Sequence, residues 1–212
     1  MKANRLQIKI CGLTNLEDAR ACVELGADMI GLNFYPQSPR YIEPEIARQV
    51  VETISRSAYA VGVFVDASAE EIRNAAKRAG IKSVQLHADF SPDTCRELAG
   101  KFRVIRAFRT DARFQPEHAG AFPDCDVLLD AHHVELRGGT GMTCDWSAAR
   151  ATLPFARFLI LSGGLNAQNV AHAIATVAPH AVDVCSGVES APGVKDYRTI
   201  EKFIAAVRTA EC

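Results

Sequence analysis

The sequence predicts an α/β fold: a single closed (β/α)8 barrel of the TIM type, with eight parallel strands and one domain over residues 1–212. Three observations predict it. Short β-rich segments alternate with amphipathic segments along the whole chain. Eight such units fill the 212 residues at about 26 residues each, with no linker or low-complexity stretch to divide them. The first strand is followed by Cys11-Gly12-Leu13-Thr14, which lacks the Gly-x-Gly-x-x-Gly turn of an open, doubly wound sheet. Strict alternation implies parallel strands joined by crossover helices. Eight such units close into a barrel more naturally than they stay open.

The strands read at about 7–11, 28–34, 60–65, 83–87, 103–107, 126–130, 157–161 and 182–185, each rich in Val, Ile and Leu. Helical patterns fall between them, at roughly 16–25, 44–56, 69–79, 92–100, 115–120, 145–151, 167–177 and 197–208. The third helix shows its boundaries best. Ser68 is placed to cap it, Glu70 and Glu71 sit in the first turn, Lys77 and Arg78 in the last, and Gly80 lies beyond. Asn166-Ala167-Gln168-Asn169 is expected to open the seventh helix in the same way.

Composition narrows the function. The chain is 48% hydrophobic and 23% charged, with a formal net charge of −1. That balance leaves no basic excess for a polyanion, so no nucleic-acid partner is expected. Disorder would need low hydrophobicity and high net charge. No apolar run reaches the ~18 residues of a membrane span, and polar Gln7 and Lys9 interrupt the start where a signal-peptide core would lie. The seven cysteines, at 11, 22, 95, 125, 144, 185 and 212, are odd in number and scattered. They suit a reducing compartment, hence a cytoplasmic protein, and form no CxxC metal or redox signature.

In a barrel of this kind the site lies at the C-terminal ends of the strands and in the loops after them. Cys11, His87, Asp130 and Cys185 stand at four of those ends. Side chains on a strand alternate, so Lys9 and Cys11, Gln85 and His87, Asp126 and Asp130, and Asp183 and Cys185 are expected to point inward. A buried charge needs a partner. Because the first and last strands of a closed barrel are neighbours, Lys9 is expected to pair with Asp183, placing a cation near Cys11 that favours its thiolate.

Three glycine-rich loops follow the late strands: Arg137-Gly138-Gly139-Thr140-Gly141, Ser162-Gly163-Gly164 and Ser186-Gly187-Val188-Glu189. Glycine lets backbone N–H groups approach a phosphate closely, so Gly139, Gly141, Gly163, Gly164, Ser186 and Gly187 are candidates for a phosphate cradle. After the second strand, Ser38-Pro39-Arg40 presents a guanidinium suited to a carboxylate or phosphate; taken alone, it reads more readily as a solvated surface charge. Asp66 and Asp89 lie just past strand ends without a distinctive pattern. His132-His133 invites a metal reading, but adjacent residues rarely face one ion and no carboxylate completes the spacing, so no metal is expected.

At these residues the chain resembles the phosphoribosylanthranilate isomerase family of tryptophan biosynthesis, over nearly its whole length. The motifs stand in order: Lys9-Ile10-Cys11-Gly12-Leu13-Thr14, Ser38-Pro39-Arg40, Val61-Gly62-Val63-Phe64-Val65, Gln85-Leu86-His87, Leu128-Leu129-Asp130, Gly138-Gly139-Thr140-Gly141, Asp145-Trp146, Leu161-Ser162-Gly163-Gly164-Leu165 and Val182-Asp183-Val184 leading to Ser186-Gly187-Val188-Glu189. The resemblance implies a cofactor-free Amadori rearrangement of N-(5-phosphoribosyl)anthranilate. It implies Cys11 as general base, Asp130 as general acid, Arg40 on the anthranilate carboxylate and the late glycine loops on the phosphate, with Lys9, His87 and Asp183 supporting. The implied partner is a small phosphorylated substrate, and the chain a monomer or homodimer.

The chain departs from the family's pattern at four places. Cys185 stands where serine is usual, Met142 where lysine or arginine is, Cys144 where phenylalanine is, and Ala88 where glycine is. Two other readings stay open: another sugar-phosphate isomerase or lyase on the same phosphate-binding barrel, and a non-catalytic ligand-binding barrel. A lyase wants a catalytic lysine and glutamate at strand ends, and the two-aspartate isomerases want aspartate where Cys11 stands. Intact Cys11 and Asp130 argue against a silent barrel.

Overall fold

Strand β1 (Gln7–Cys11) shows the rule that builds the molecule: Ile8 and Ile10 are wholly buried under the outer helices, while Lys9 between them points into the interior. The computed structural model describes residues 5–55, 57–111, 113–130 and 146–211. In it β1 is followed by α1 (Leu16–Leu25), β2 (Met29–Asn33), α2 (Pro44–Ile54), β3 (Tyr59–Val65), α3 (Ala69–Ala79), β4 (Ser83–His87), α4 (Pro92–Ala99) and β5 (Arg103–Arg109). A 3-10 helix (Pro116–Ala121) leads to β6 (Asp126–Asp130), then come α5 (Ser147–Thr152), β7 (Leu159–Ser162), α6 (Val170–Val177) and β8 (Ala181–Val184). A short hairpin, β9 (Glu189–Ala191) and β10 (Val194–Lys195), precedes α7 (Tyr197–Ala210).

Strands β1 to β8 pair in sequence order, all parallel, and β8 closes onto β1. The expected barrel is therefore the fold. Two apolar regions hold it. The larger lies between strands and helices and includes Ile8, Ile30, Leu86, Leu129, Leu161 and Phe203. The smaller, inside the barrel, holds Met29, Val61, Ile105, Leu128 and Ile160, the layered packing that makes such a barrel solid rather than hollow. Below it, the buried Asp126 carboxylate accepts from Arg103 at 2.5 Å and Arg157 at 3.0 Å, and Arg103 also donates to the Tyr59 hydroxyl. The N-terminal end is thus sealed by paired charges, as buried carboxylates require.

Most boundaries fall within a residue or two of the sequence reading, because local chemistry sets them. Ser68 accepts from the Glu71 amide, and the Glu71 carboxylate accepts from the Ser68 amide at 2.8 Å, closing both ends of a capping box at the start of α3.

Two helices differ from expectation. The segment read as a helix at 115–120 is a single 3-10 stretch beginning at Pro116. The space it leaves is filled by Phe108, Phe114 and Phe122, with the Arg106 guanidinium 4.8 Å from the Phe108 ring. The helix expected from 167 starts at Val170. Asn166 and Asn169 do act as caps, but on each other: Asn166 Oδ1 accepts from the amides of Gln168 and Asn169, and Asn169 Oδ1 accepts from the Asn166 amide at 2.9 Å. These bonds stabilise a turn ahead of the helix rather than its first turn. Cys185, expected to end the eighth strand, lies one residue past it.

The closing seam carries the expected buried ion pair. Lys9 sits opposite Asp183 in the β1–β8 register, and its ammonium reaches Asp183 Oδ1 at 2.9 Å with no solvent exposure. Ser162 donates to the other oxygen at 3.1 Å. Burial disfavours the Lys9 charge, but the carboxylate of Asp183, and behind it the Cys11 sulfur, hold its pKa above the ordinary lysine value. Removing one partner of such a pair leaves an uncompensated charge and costs about 3–5 kcal/mol. Lys9→Ala should therefore lower stability by about that amount in urea titrations. The double variant Lys9→Met/Asp183→Leu should lose less than the sum of the two single variants; additive losses would show the two groups do not couple.

Candidate active site

The rim at the C-terminal ends of β6, β7, β8 and β1 gathers most of the candidate residues. A cavity of about 350 Å³ is lined by Arg40, Asp130, Asp183 and the two glycine turns Ser162-Gly163-Gly164 and Cys185-Ser186-Gly187. Asp130 is the last residue of β6 and pairs in register with Ser162, the last of β7. The Asn169 amide donates to the Gly164 carbonyl at 2.9 Å, so the turn before α6 holds the glycine loop in place. Gly187 allows the next loop to pack against it, since a Cβ there would lie 2.0 Å from the Leu165 carbonyl oxygen. Gly139, Gly141, His132, His133, Met142 and Cys144 lie outside the described residues.

Cys11 stands at the end of β1 beside this cavity, partly exposed. Its partner across the β1–β2 register is Gly31, where a Cβ would come within 2.6 Å of the Cys11 sulfur. Glycine at 31 is what gives the thiol its room. The thiol is lowered to about 7: the Cys185 side chain hydrogen-bonded to it contributes most, burial opposes, and the charge of Lys9 helps next. Lys9 therefore assists as expected, but Cys185 is the larger influence. The same contact, with burial, pushes the Cys185 thiol upward. Of the two thiols, Cys11 is the one that ionises first.

Arg40 is neither a solvated charge nor unattached. Its Nε and Nη2 hold the Glu189 carboxylate at 2.9 and 2.6 Å, and Nη1 makes no hydrogen bond among the described residues. Lys195, wholly buried in its side chain, donates to Glu189 Oε1 at 2.8 Å, to the Cys11 carbonyl at 2.7 Å and to the Cys185 carbonyl at 3.3 Å. Burial works against the Glu189 charge, but Arg40 and then Lys195 hold its carboxyl below the usual range. The sequence reading missed Glu189 and Lys195 as site residues. Pro192-Gly193 between two short extended runs was the available sign of their hairpin.

His87 ends β4 and lines a separate cavity of about 540 Å³ with Asp66, Asp89, Arg106 and Arg109. Its Nε2 lies 2.7 Å from the Gln85 amide nitrogen. Burial, with the charge of Lys9 next, pushes its pKa down to about 4, so the ring stays neutral. Ala88 beside it adopts a left-handed backbone, φ 66°, which accounts for the glycine usual in the family at that position. Among the described residues no group of three or more His, Cys, Asp or Glu side chains is arranged to hold a metal, and no helix is long and apolar enough to cross a membrane.

A closed (β/α)8 barrel with a thiolate, a carboxyl group and two glycine turns on one rim defines an enzyme of the phosphate-binding barrel class. Comparison with known proteins makes this specific. Residues 8–206 match the family described as N-(5'-phosphoribosyl)anthranilate (PRA) isomerase. The N-(5'-phosphoribosyl)anthranilate isomerase of Thermotoga maritima is 44% identical over 199 residues, covering 94% of this chain and 97% of that protein. A crystal structure of the Thermotoga maritima phosphoribosyl anthranilate isomerase superposes with a TM-score of 0.88 at 42% identity, covering 96% of this chain and 99% of that one. Another, with a TM-score of 0.86 at 41% identity over 96% and 99%, holds reduced 1-(o-carboxyphenylamino)-1-deoxyribulose 5-phosphate. The chain belongs to the N-(5'-phosphoribosyl)anthranilate isomerase family, isomerases of tryptophan biosynthesis.

His87 gives the site a measurable signature. In the unfolded chain the ring titrates near 6.5, and in the folded one near 4. The unfolded state therefore binds the extra proton between those values, and stability falls as pH drops through that window, by an amount on the order of 2–3 kcal/mol. Chemical denaturation at pH 7 and pH 4 should show a larger loss for the wild type than for His87→Gln. An equal loss would mean that His87 titrates normally.

Proposed function

We propose that this chain catalyses the Amadori rearrangement of N-(5-phospho-β-D-ribosyl)anthranilate to 1-(2-carboxyphenylamino)-1-deoxy-D-ribulose 5-phosphate, with Cys11 as general base and Asp130 as general acid. It works without metal or cofactor, as a single catalytic barrel in the cytoplasm, as monomer or homodimer. The observation that carries this reading is the cavity joining Asp130, Arg40 and the glycine turns of β7 and β8, with the lowered Cys11 thiol beside it.

The chemistry follows from these groups. With the phosphate on the backbone amides around Gly163, Gly164, Ser186 and Gly187, the ribose ring lies over the barrel mouth. Asp130 gives its proton to the ring oxygen as the C1′–O bond breaks, and the anilino nitrogen pushes in to form an iminium. That cation acidifies the C2′ hydrogen, which the Cys11 thiolate removes. The C–H electron pair becomes the C1′–C2′ double bond and neutralises the nitrogen. The resulting enol then tautomerises to the C2′ ketone, taking a proton at C1′. A lowered thiol and a carboxyl group on one rim supply the base and the acid that this chemistry requires.

Arg40 meets the anthranilate carboxylate through Nη1, while Glu189 keeps its other edge and fixes its direction. Lys9, Asp183 and Lys195 hold the electrostatic environment of Cys11, and a neutral His87 bounds the mouth on the β4 side.

The test follows the fluorescence of substrate generated in situ. Wild-type decay should be fast, and both Cys11→Ala and Asp130→Asn should lose at least about 10²-fold, the scale of a lost general acid or base. Activity of Asp130→Asn within a factor of a few would remove Asp130 from the acid role. The wild-type kcat/KM should rise with pH through about 7 as Cys11 ionises. Cys185→Ala, which removes the largest lowering influence, should move that midpoint upward, and an unmoved midpoint would assign the limb to another group. Arg40→Ala should raise KM more than it lowers kcat, because the carboxylate is held alike in ground and transition states; a kcat-only effect would place Arg40 in the chemistry instead.

A further inference from the structure

Cys11 and Cys185 face each other across the seam where the last strand meets the first. The register pairs Lys9 with Asp183 and Ile10 with Val184, and Cys11 and Cys185 are the residues that follow, Cys185 one past the end of β8. The two thiols are in hydrogen-bond contact with each other, and a spacing of ~4.8 Å between neighbouring backbones falls inside the ~4.4–6.8 Å between Cα atoms that a disulfide spans. Lys195 draws the two backbones together by donating to both carbonyls, at 2.7 and 3.3 Å. Both cysteines are partly exposed, whereas Cys22, Cys95 and Cys125 are buried. Cys185 lines the cavity beside which Cys11 stands.

We propose that Cys11 and Cys185 form a hydroperoxide-responsive dithiol that closes into a disulfide and reversibly silences the isomerase. The loss of activity rests on the reading of Cys11 as the base. The Cys11 thiolate attacks one peroxide oxygen. The S–O bond forms, the O–O bond breaks and hydroxide leaves; the sulfur loses two electrons and the peroxide gains them. Cys185 then attacks the Cys11 sulfenic acid. The S–S bond forms and the S–O bond breaks, and the Cys185 proton leaves with the hydroxyl as water. Two thiols and one hydrogen peroxide thus become one disulfide and two waters, and a dithiol reductant reverses the change. The first step selects Cys11 because it is the accessible thiolate, with Lys9 and Lys195 close by and its thiol held at about 7 chiefly by Cys185. A transient disulfide of this kind is the form expected in a reducing compartment.

The experiment treats the intact enzyme with hydrogen peroxide, blocks free thiols and maps the tryptic peptides. Residues 10–20 carry Cys11 as their one cysteine, and residues 158–195 carry Cys185 as theirs. The expected result is a cross-link between these two peptides, an activity loss of about tenfold or more in parallel, and recovery with dithiothreitol. In Cys185→Ser, compared with its own untreated activity, peroxide should give Cys11 sulfinic acid and a loss that dithiothreitol does not recover. Wild-type Cys11 that is over-oxidised or still alkylatable, with no cross-link, overturns the proposal while leaving the base assignment to the Cys11→Ala result. A cross-link with full activity overturns the switch and the base assignment together.

Discussion

The ion pair between Lys9 and Asp183 is the constraint around which the site is arranged. It lies at the one seam where strands distant in sequence must meet, 174 residues apart, and it is dry on the lysine side. Two charges taken out of water are tolerated only when each satisfies the other. Here Ser162 adds a hydrogen bond from the neighbouring strand. The pair therefore fixes the β1–β8 register, and register decides which side chains face inward. Cys11, two residues further along β1, and Cys185, just past the end of β8, inherit their positions from it.

A second buried network lies above the first. The β9–β10 hairpin carries Glu189 and Lys195 into the rim, where Lys195 binds the carbonyls of Cys11 and Cys185 and Glu189 binds Arg40. One carboxylate thus links the guanidinium assigned to the substrate to the strand that holds the thiolate. The two lysines act differently on Cys11. Lys9 lies one turn of the alternation below it, and Lys195 grips its backbone; both favour the charged thiolate, while the largest influence is the neighbouring Cys185 thiol. An aliphatic residue at 185 would leave the strand intact and still change the chemistry of Cys11.

Much of the site was legible in the sequence because the fold places function by rule. Once the alternation named a barrel, the ends of the strands became the candidates, and Cys11, Asp130 and the late glycine turns fell out of that count. The Lys9–Asp183 pair was legible for the same reason, since period-two alternation and closure leave two inward charges on adjacent strands. Other features were not. A buried lysine such as Lys195 carries no local mark that separates it from the surface lysines at 77 or 101. Glu189 sat inside a recognised motif, but its partner Arg40 is 149 residues away. The opening of α6 was misread because two asparagines capped each other rather than the helix.

The sequence by itself determined the order of the eight barrel strands, the alternation of faces, the cap at Ser68, and the residue types at each strand end. These depend on interactions within a few residues, whose energies are local. The tertiary structure decided which charges neutralise one another, that Arg40 is held by Glu189, that Gly31 makes room for the Cys11 sulfur, and that two cysteines meet at the seam. Those outcomes depend on closure, which brings the ends of the chain to within a hydrogen bond of each other. Only there do burial and charge act on the same atoms.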